Sequence, residues 1–368
     1  MKILGIETSC DETAASVIEI NEKTKKIILL SNVVASSLKL HSKTGGIIPE
    51  IAAREQLKFI LPVINQALKQ AQIENINNPS IDAIGITYGQ GLIGSLLVGV
   101  ETAKTLSILW NKPLIPVNHL YGHIYANFID GDQTSQIPQP ADFPAIALIV
   151  SGGHTDLVFM KNEKNIKWIA GTRDDAAGEC FDKCARLLGY EYPGGPKVAN
   201  LALKGNSKKF KLPHPLPENN TYDFSFSGLK TAFFRLTQTH FPILRNSSNK
   251  IGWQEIALEE NLNPSEKQIL YDLCASLQKT IIDVLIKKTF LAAENYSAKS
   301  ILIGGGVAAN QNLIQEFKIK GESQQIKIFA PKKFLCTDNG AMIAAASYFN
   351  PKHINPLKLD ANPEVYFD

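Results

Sequence analysis

The sequence predicts an α/β protein built from a duplicated βββαβα unit. Three observations lead there. The chain opens with three short apolar runs, Lys2–Ser9, Ala14–Ile20 and Lys26–Ser36, whose polar breaks suit an antiparallel meander. Helical and strand patterns then alternate. After a polar segment the same order returns, which points to two lobes with ligands bound at the strand ends between them.

Each element has its own signal. A helical pattern runs from Pro49 to Gln72, with Pro49 suited to a first turn and Pro62 placed to kink it. Strand Ile81–Tyr88, a glycine-rich turn, helix Leu92–Trp110, strand Pro113–Val117 and a short helix over Tyr121–Phe128 complete the first lobe, residues 1–129. Residues 130–142 are polar with two prolines and read as a linker. The second lobe, 143–337, repeats the meander in Ala145–Val150, Asp156–Met160 and Ile166–Ala170. Helices are expected near Ala176–Leu188, Gly228–Thr237 and Lys267–Asn295, then strand Ser300–Ile303, a helix from Asn310 and strand Gln325–Phe329. A helix at Asn339–Phe349 and a tail, within 338–368, are expected to pack back on the first lobe.

Composition bounds the function. The 368 residues suffice for two domains, and 44% hydrophobic against 20% charged residues allows a substantial core. Lys plus Arg is 38 against 35 acids, net +3, which excludes a polybasic protein and leaves room for a local basic patch. No apolar run approaches the roughly 18 residues of a membrane span, so no membrane partner is expected. The N-terminus enters a strand at Lys2 with no export or organelle signal. Five scattered cysteines fit reduced thiols in the cytoplasm.

Several motifs carry chemistry. Gly89-Gln90-Gly91-Leu92-Ile93-Gly94 matches a dinucleotide-binding loop, which would want an acid about 20 positions on. None stands between Glu101 and Asp130, so a tight strand-to-helix turn is the better reading. His119 and His123 share one face of a helical turn, the spacing of metal-binding helices. A zinc protease with that spacing needs a Glu beside the first His, where this chain has Leu120 and then Tyr121. Asp338, at a helix start, either caps that helix or adds a hard oxygen ligand to the two imidazoles.

Ser151-Gly152-Gly153-His154-Thr155 lies between two strands, and Gly304-Gly305-Gly306 lies between a strand and a helix. Both can offer uncovered backbone N–H groups to phosphate, and both are also ordinary turns. No Walker A motif occurs, which excludes a P-loop ATPase. Asp174, Asp175 and Asp182, near Gly194-Gly195, offer carboxylates to sugar hydroxyls, whereas Cys180 and Cys184 lack companion ligands and read as packing residues.

Taken together, GIETSCDET at 5–13, GGIIPEIAAREQ at 45–56, NHLYGH at 118–123, VSGGHT at 150–155, DDAAGECFDKCARLLG at 174–189, YPGGP at 192–196, DFSFSGLKT at 223–231, GGGVAAN at 304–310 and CTDNGAMIA at 336–344 resemble the tRNA threonylcarbamoyladenosine transferase family, once described as O-sialoglycoprotein endopeptidases. The resemblance runs almost end to end and implies two ribonuclease H-like lobes of the actin/sugar kinase/Hsp70 type. It implies transfer of a threonylcarbamoyl group from threonylcarbamoyl-AMP to N6 of adenosine 37 in tRNAs reading codons that begin with A. His119, His123 and Asp338 would then hold one divalent iron or zinc ion. Ile149, Val150, Ser151, Gly152, Gly153, Asp182, Gly195 and Asn310 would bind the adenylate. Glu7, Asp11, His154 and Gly304 to Gly306 are further nucleotide contacts by position, and Mg²⁺ with ATP stays open. The expected partners are tRNA, a paralogous subunit and a small ATPase.

Three positions depart from the family pattern: Gln90 replaces a Pro, Tyr121 a Glu common between the histidines, and Ala199 an Asp after PGGP. The stretch Asn246–Asn261 reads as an insertion. A basic patch of Lys204, Lys208, Lys209 and Lys211 is a candidate tRNA contact or else a solvated loop. The rivals are an ATP-hydrolysing or phosphotransferase member of the same fold, with Glu7 or Asp11 placing Mg²⁺, a metallopeptidase, and a non-catalytic scaffold. The imidazole pair has no task in the first or the last.

Overall fold

Two sheets with the same strand order form the frame. The computed structural model describes residues 1–42, 46–130, 141–216, 221–241 and 258–367. In the first lobe, β1 (Lys2–Glu7), β2 (Glu12–Asn21) and β3 (Lys26–Ser36) make the antiparallel meander. The short α1 (Leu38–Ser42) and then α2 (Pro49–Gln70), β4 (Ala83–Gly89), α3 (Ile93–Trp110), β5 (Leu114–Asn118), α4 (His119–Tyr125) and β6 (Ile129–Asp130) follow. The second lobe holds β7 (Ala145–Val150), β8 (Thr155–Met160), β9 (Ile166–Gly171), α5 (Ala177–Leu187), α6 (Gly195–Ala202), α7 (Ser227–His240) and α8 (Pro264–Asn295). It closes with β10 (Ser300–Gly304), α9 (Gln311–Gln324), β11 (Lys327–Phe329) and α10 (Lys333–Cys336), and α11 (Gly340–Phe349) comes last.

The strand orders are β5-β4-β1-β2-β3-β6 and β11-β10-β7-β8-β9. Each is a meander extended by two parallel strands on the side of its first strand, the ribonuclease H-like order occurring twice. Only β6, pairing with β3 at one edge, breaks the match. This is the duplicated α/β architecture of the actin/sugar kinase/Hsp70 type.

The core has three parts. α2 and α3 cover the outer face of the first sheet, where Leu4, Ile6, Ile64, Leu68 and Val100 are buried. α5 to α9 cover the outer face of the second sheet around Phe224, Phe226, Phe233 and Phe317. Between the sheets lie α4 and α11, whose Leu120, Ile124, Met342 and Ile343 pack with Ile3, Ile115, Ile149 and Leu302. Glycines make the α11 contact possible: a Cβ on Gly5 would lie 2.0 Å from the carbonyl of Gly340. The helix therefore rests directly on the β1 backbone.

Several details differ from the sequence expectations. α6 is an element for which the sequence reading gives no expectation; Pro196 sits at its start, where its missing N–H costs nothing. α2 runs on as one helical segment through Pro62. α3 spans 18 residues with mean hydropathy 1.2, long and apolar enough by composition to cross a membrane. That corrects the expectation of no such run. Its Leu96, Val100, Ala103 and Trp110 are buried against the first lobe, while Ile93, Leu97, Ile108 and Leu109 are exposed. Residues 131–140 of the linker lie outside the described residues, and of segment 246–261 only the 3-10 turn Leu258–Asn261 is described.

Candidate active site

α4 starts where β5 ends. Asn118 caps it by accepting from the Leu120 N–H at 2.9 Å, which seats His119 and His123 one turn apart with ring centroids 4.7 Å from each other. Across the cleft the N-cap of α11 is Asn339, whose Oδ1 accepts from Met342 N at 3.0 Å and whose Nδ2 donates to the Leu335 and Thr337 carbonyls. This corrects the reading of Asp338 as a cap. Standing one position earlier, Asp338 has its carboxylate free to face the imidazoles. Its Oδ1 is 3.3 Å from His123 Nε2 and 3.6 Å from His119 Nε2. One ligand atom from each of the three residues can be chosen within 4.8 Å of the others.

A carboxylate at the end of β1 sets the tautomer. Glu7 Oε2 lies 3.3 Å from His119 Nδ1, and the Glu7 carboxylate also accepts from the Thr87 hydroxyl and the Ser9 N–H. With Nδ1 tied to Glu7, the lone pair of His119 Nε2 is left for the Asp338 side. His123 Nδ1 is buried without a hydrogen-bond partner, and its Nε2 meets only the Asp338 carboxylate, so Nε2 is open to a cation shared with Asp338. Burial disfavours a charged His119, but Asp338 and Glu7 outweigh it and raise its pKa to about 9. Burial likewise works against ionised Asp338, yet His119 and His123 hold its carboxyl below the usual range. A field that favours a proton on the His119 imidazole favours any cation, and two imidazoles with one carboxylate suit Fe²⁺ or Zn²⁺. The residues therefore fit one divalent metal.

Two glycine loops close on this cluster. A Cβ on Gly304 would lie 2.3 Å from the His123 carbonyl, and one on Gly305, at φ +96°, would lie 2.4 Å from the Val150 carbonyl. These two glycines are required by close approach. Gly152, Gly153 and Gly306 instead have open space where a Cβ would stand. Ser151 closes the hairpin turn, its N–H donating to the His154 carbonyl and its Oγ accepting from the His154 N–H. Ile149 and Val150 are wholly buried in β7, between β10 and β8, just beneath the Ser151–Thr155 turn. His154 is held near the metal-ligand cluster, where burial and the neighbouring His119 and His123 lower its pKa to about 4.

Other expected residues are already engaged. Asp182 Oδ1 accepts from the Gly194 and Gly195 N–H groups at 2.8 and 3.0 Å, so it shapes that turn. Asn310 caps α9 through Oδ1 and donates to Gln278 Oε1. Asp174 accepts from Ser225, Phe226 and Ser227, and Asp175 pairs with Lys183, so both acids serve structure. Cys180 and Cys184 are buried in the second core. Glu7, spent on His119, Thr87 and Ser9, is not free to place Mg²⁺. Asp11 keeps one buried carboxylate oxygen, Oδ2, without a hydrogen-bond partner.

Sequence reasoning passed over Glu12 and Tyr192. Burial, with Asp338 and Asp11, raises the Glu12 pKa well above normal. Burial, then Asp11 and Asp182, raises that of Tyr192. The Asp11-Glu12 pair was the available signal. Of the departures, Gln90 is buried at a turn whose Gly89–Gln90 peptide is cis, Tyr121 packs on Phe367 of the tail, and Ala199 lies one turn after Gly195 on α6.

Known proteins show which family the chain belongs to. A model of the tRNA N6-adenosine threonylcarbamoyltransferase family matches residues 28–345. The chain is 45% identical over 351 residues to a tRNA N6-adenosine threonylcarbamoyltransferase of Thermomicrobium roseum, covering 95% of this chain and 92% of that one. It is 41% identical over 365 residues to one of Moorella thermoacetica, covering 99% and 96%. Among solved structures, HypF of T. kodakarensis matches with TM-score 0.53 at 14% identity, and a full-length HypF in a phosphate- and nucleotide-bound form with 0.55 at 11%. Each match covers 95% of this chain but about half of HypF, 47% and 46%, and shares the fold alone. The chain belongs to the tRNA N6-adenosine threonylcarbamoyltransferase family.

Proposed function

We propose that this chain transfers the threonylcarbamoyl group from threonylcarbamoyl-AMP to N6 of adenosine 37 in tRNAs reading codons that begin with A, releasing AMP. Family membership supports the reaction type. The single observation that carries the site is the His119–His123–Asp338 cluster lying against two glycine loops between the lobes.

The chemical demand is clear. The N6 lone pair is delocalised into the adenine ring, so N6 is a weak nucleophile and the carbonyl must be activated. As the new C–N bond forms, the carbonyl-to-phosphate C–O bond breaks and AMP departs with the electron pair, while N6 loses a proton. A divalent iron or zinc ion held by His119, His123 and Asp338 supplies Lewis-acid polarisation of a donor oxygen when bound. Glu7 fixes His119 in the tautomer that ligation through Nε2 requires. The N–H groups around Gly152, Gly153 and Gly306 are open enough to donate to the phosphate. By the family reading Ile149, Val150, Asp182, Gly195 and Asn310 bind the adenylate, and Asp182 fixes the Gly194–Gly195 turn by accepting its two N–H groups. The anticodon loop is single-stranded, so adenosine 37 can enter the cleft without breaking a helix.

By the family reading the chain works in the cytoplasm with a paralogous subunit and a small ATPase. The exposed Leu57 and Leu61 of α2 and Ile93 and Leu97 of α3 give an apolar face on the first lobe for such a subunit. The test is mass spectrometry of nucleosides from tRNA after depletion of the protein. Loss of threonylcarbamoyladenosine supports the reading, and unchanged levels refute it.

A further inference from the structure

Outside the cleft, a cavity of about 530 Å³ lies between α9, β11 and α10. Ile314 and Lys318 of α9, Phe329 of β11, Pro331 after it and Lys333 of α10 line it. Its lining contains two lysines and no acid. Neither Lys318 nor Lys333 makes an ion pair among the described residues. One end is the turn Gly306–Ala309, which continues the Gly304–Gly306 loop, and α10 stops two residues short of Asp338. The cavity is thus one turn of chain away from the metal-ligand cluster on two sides.

We propose that this groove receives the anticodon loop of the tRNA substrate. An unpaired base next to the reacting adenosine rests on Ile314, Phe329 and Pro331, and the flanking phosphates meet Lys318 and Lys333. The inference rests on the transferase reading. A net charge of +3 cannot draw RNA to the surface as a whole, so a local site must. Ring and aliphatic surface beside unpaired cations is what single-stranded nucleic acid needs, since every base has a stacking face and every linkage a charge. The rival patch is less suited: Lys204, like Lys197, lies close to the Glu259 carboxylate, which offsets its charge.

The test uses the full chain, an unmodified anticodon stem-loop RNA carrying adenosine 37, and the double variant Lys318→Glu/Lys333→Glu, checked for an unchanged melting temperature. RNA binding should weaken by about tenfold or more at moderate salt. The slope of log affinity against log salt should flatten by about 1.4, at about 0.7 per single-strand phosphate contact. AMP binding should not change. Equal RNA affinity in the variant overturns the groove, as does a loss found instead in Lys208→Glu/Lys209→Glu/Lys211→Glu. A parallel loss of AMP binding also overturns it, by assigning the cavity to the nucleotide site. So does loss of a protein partner with RNA binding intact. The transferase reading fails separately, if the wild-type chain with active partners modifies no tRNA, and the RNA groove then falls with it.

Discussion

Glu7 Oε2 lies 3.3 Å from Nδ1 of His119, joining the last residue of β1 to the first residue of α4. The contact turns Nε2 of the same ring toward Asp338 and makes the end of the first strand part of the metal-ligand cluster. Removing the carboxylate charge should loosen that orientation. Glu7→Gln is expected to lower Zn²⁺ affinity about 10- to 100-fold while leaving all three ligands in place. Competition with a chromophoric chelator measures it, and unchanged affinity would show that Glu7 does not orient the ring.

Asp338 and Asn339 are neighbours with different tasks, and substitution separates them. Asn339→Ala removes the α11 cap and two buried side-chain hydrogen bonds, and should cost about 2 kcal/mol in urea unfolding. Asp338→Ala should stay within about 1 kcal/mol of wild type yet lose the metal and most activity. If Asp338→Ala binds metal as wild type does, the ligand set is wrong.

The glycines divide in the same way. Gly153→Val meets open space and should keep the melting temperature while weakening nucleotide binding by about tenfold, because the side chain would cover the loop's N–H groups. Gly305→Val meets the Val150 carbonyl at a positive φ and should lose about 2 kcal/mol or more of stability. Calorimetry with AMP decides the first. Full affinity in Gly153→Val would reduce the Ser151–Thr155 loop to a hairpin turn.

Asp174 gives a pH test away from the site. Burial pushes its carboxyl up, but hydrogen bonds from Ser225, Phe226 and Ser227 prevail and hold its pKa below the usual carboxylate value. A depressed folded-state pKa adds stability above the ordinary value near 3.9, and that stability is lost as pH falls through the lower folded value. Asp174→Ala should therefore cost stability at pH 7, by about 1 kcal/mol for an exposed cap of α7, and progressively less below about pH 4. A penalty that does not shrink in acid would locate the effect in packing.

The sequence made the frame legible because its signals are local. Short apolar runs between polar breaks mark β1, β2, β7 and β8, and the i, i+4 imidazoles mark α4. α6 was hidden by Pro193-Gly194-Gly195-Pro196, whose loop signal is strong although proline is tolerated in a first helical turn. The cap at Asn339 was hidden because Asp and Asn cap equally well, and only the fold decides which of two neighbours does so. Tertiary placement hid the rest. Nothing near His154 in sequence announces that it lies by His119, and nothing near Asp182 or Asn310 shows that their oxygens are already accepting N–H bonds. The burial of Glu12 beside Asp338 and of Tyr192 beside Asp11 emerges only from the fold.

The central claim is tested most directly by mass spectrometry of nucleosides from tRNA incubated with the metal-loaded chain, threonylcarbamoyl-AMP and active partner subunits. The tRNA should carry uridine 36 and adenosine 37. The account predicts threonylcarbamoyladenosine with the wild-type chain, a loss of about 100-fold or more with His119→Ala or Asp338→Ala, and no cleavage of glycoprotein substrates by any of them, since Leu120 and Tyr121 stand where a protease base would be. Unmodified adenosine in the complete mixture, or peptide cleavage abolished by His119→Ala, would contradict it.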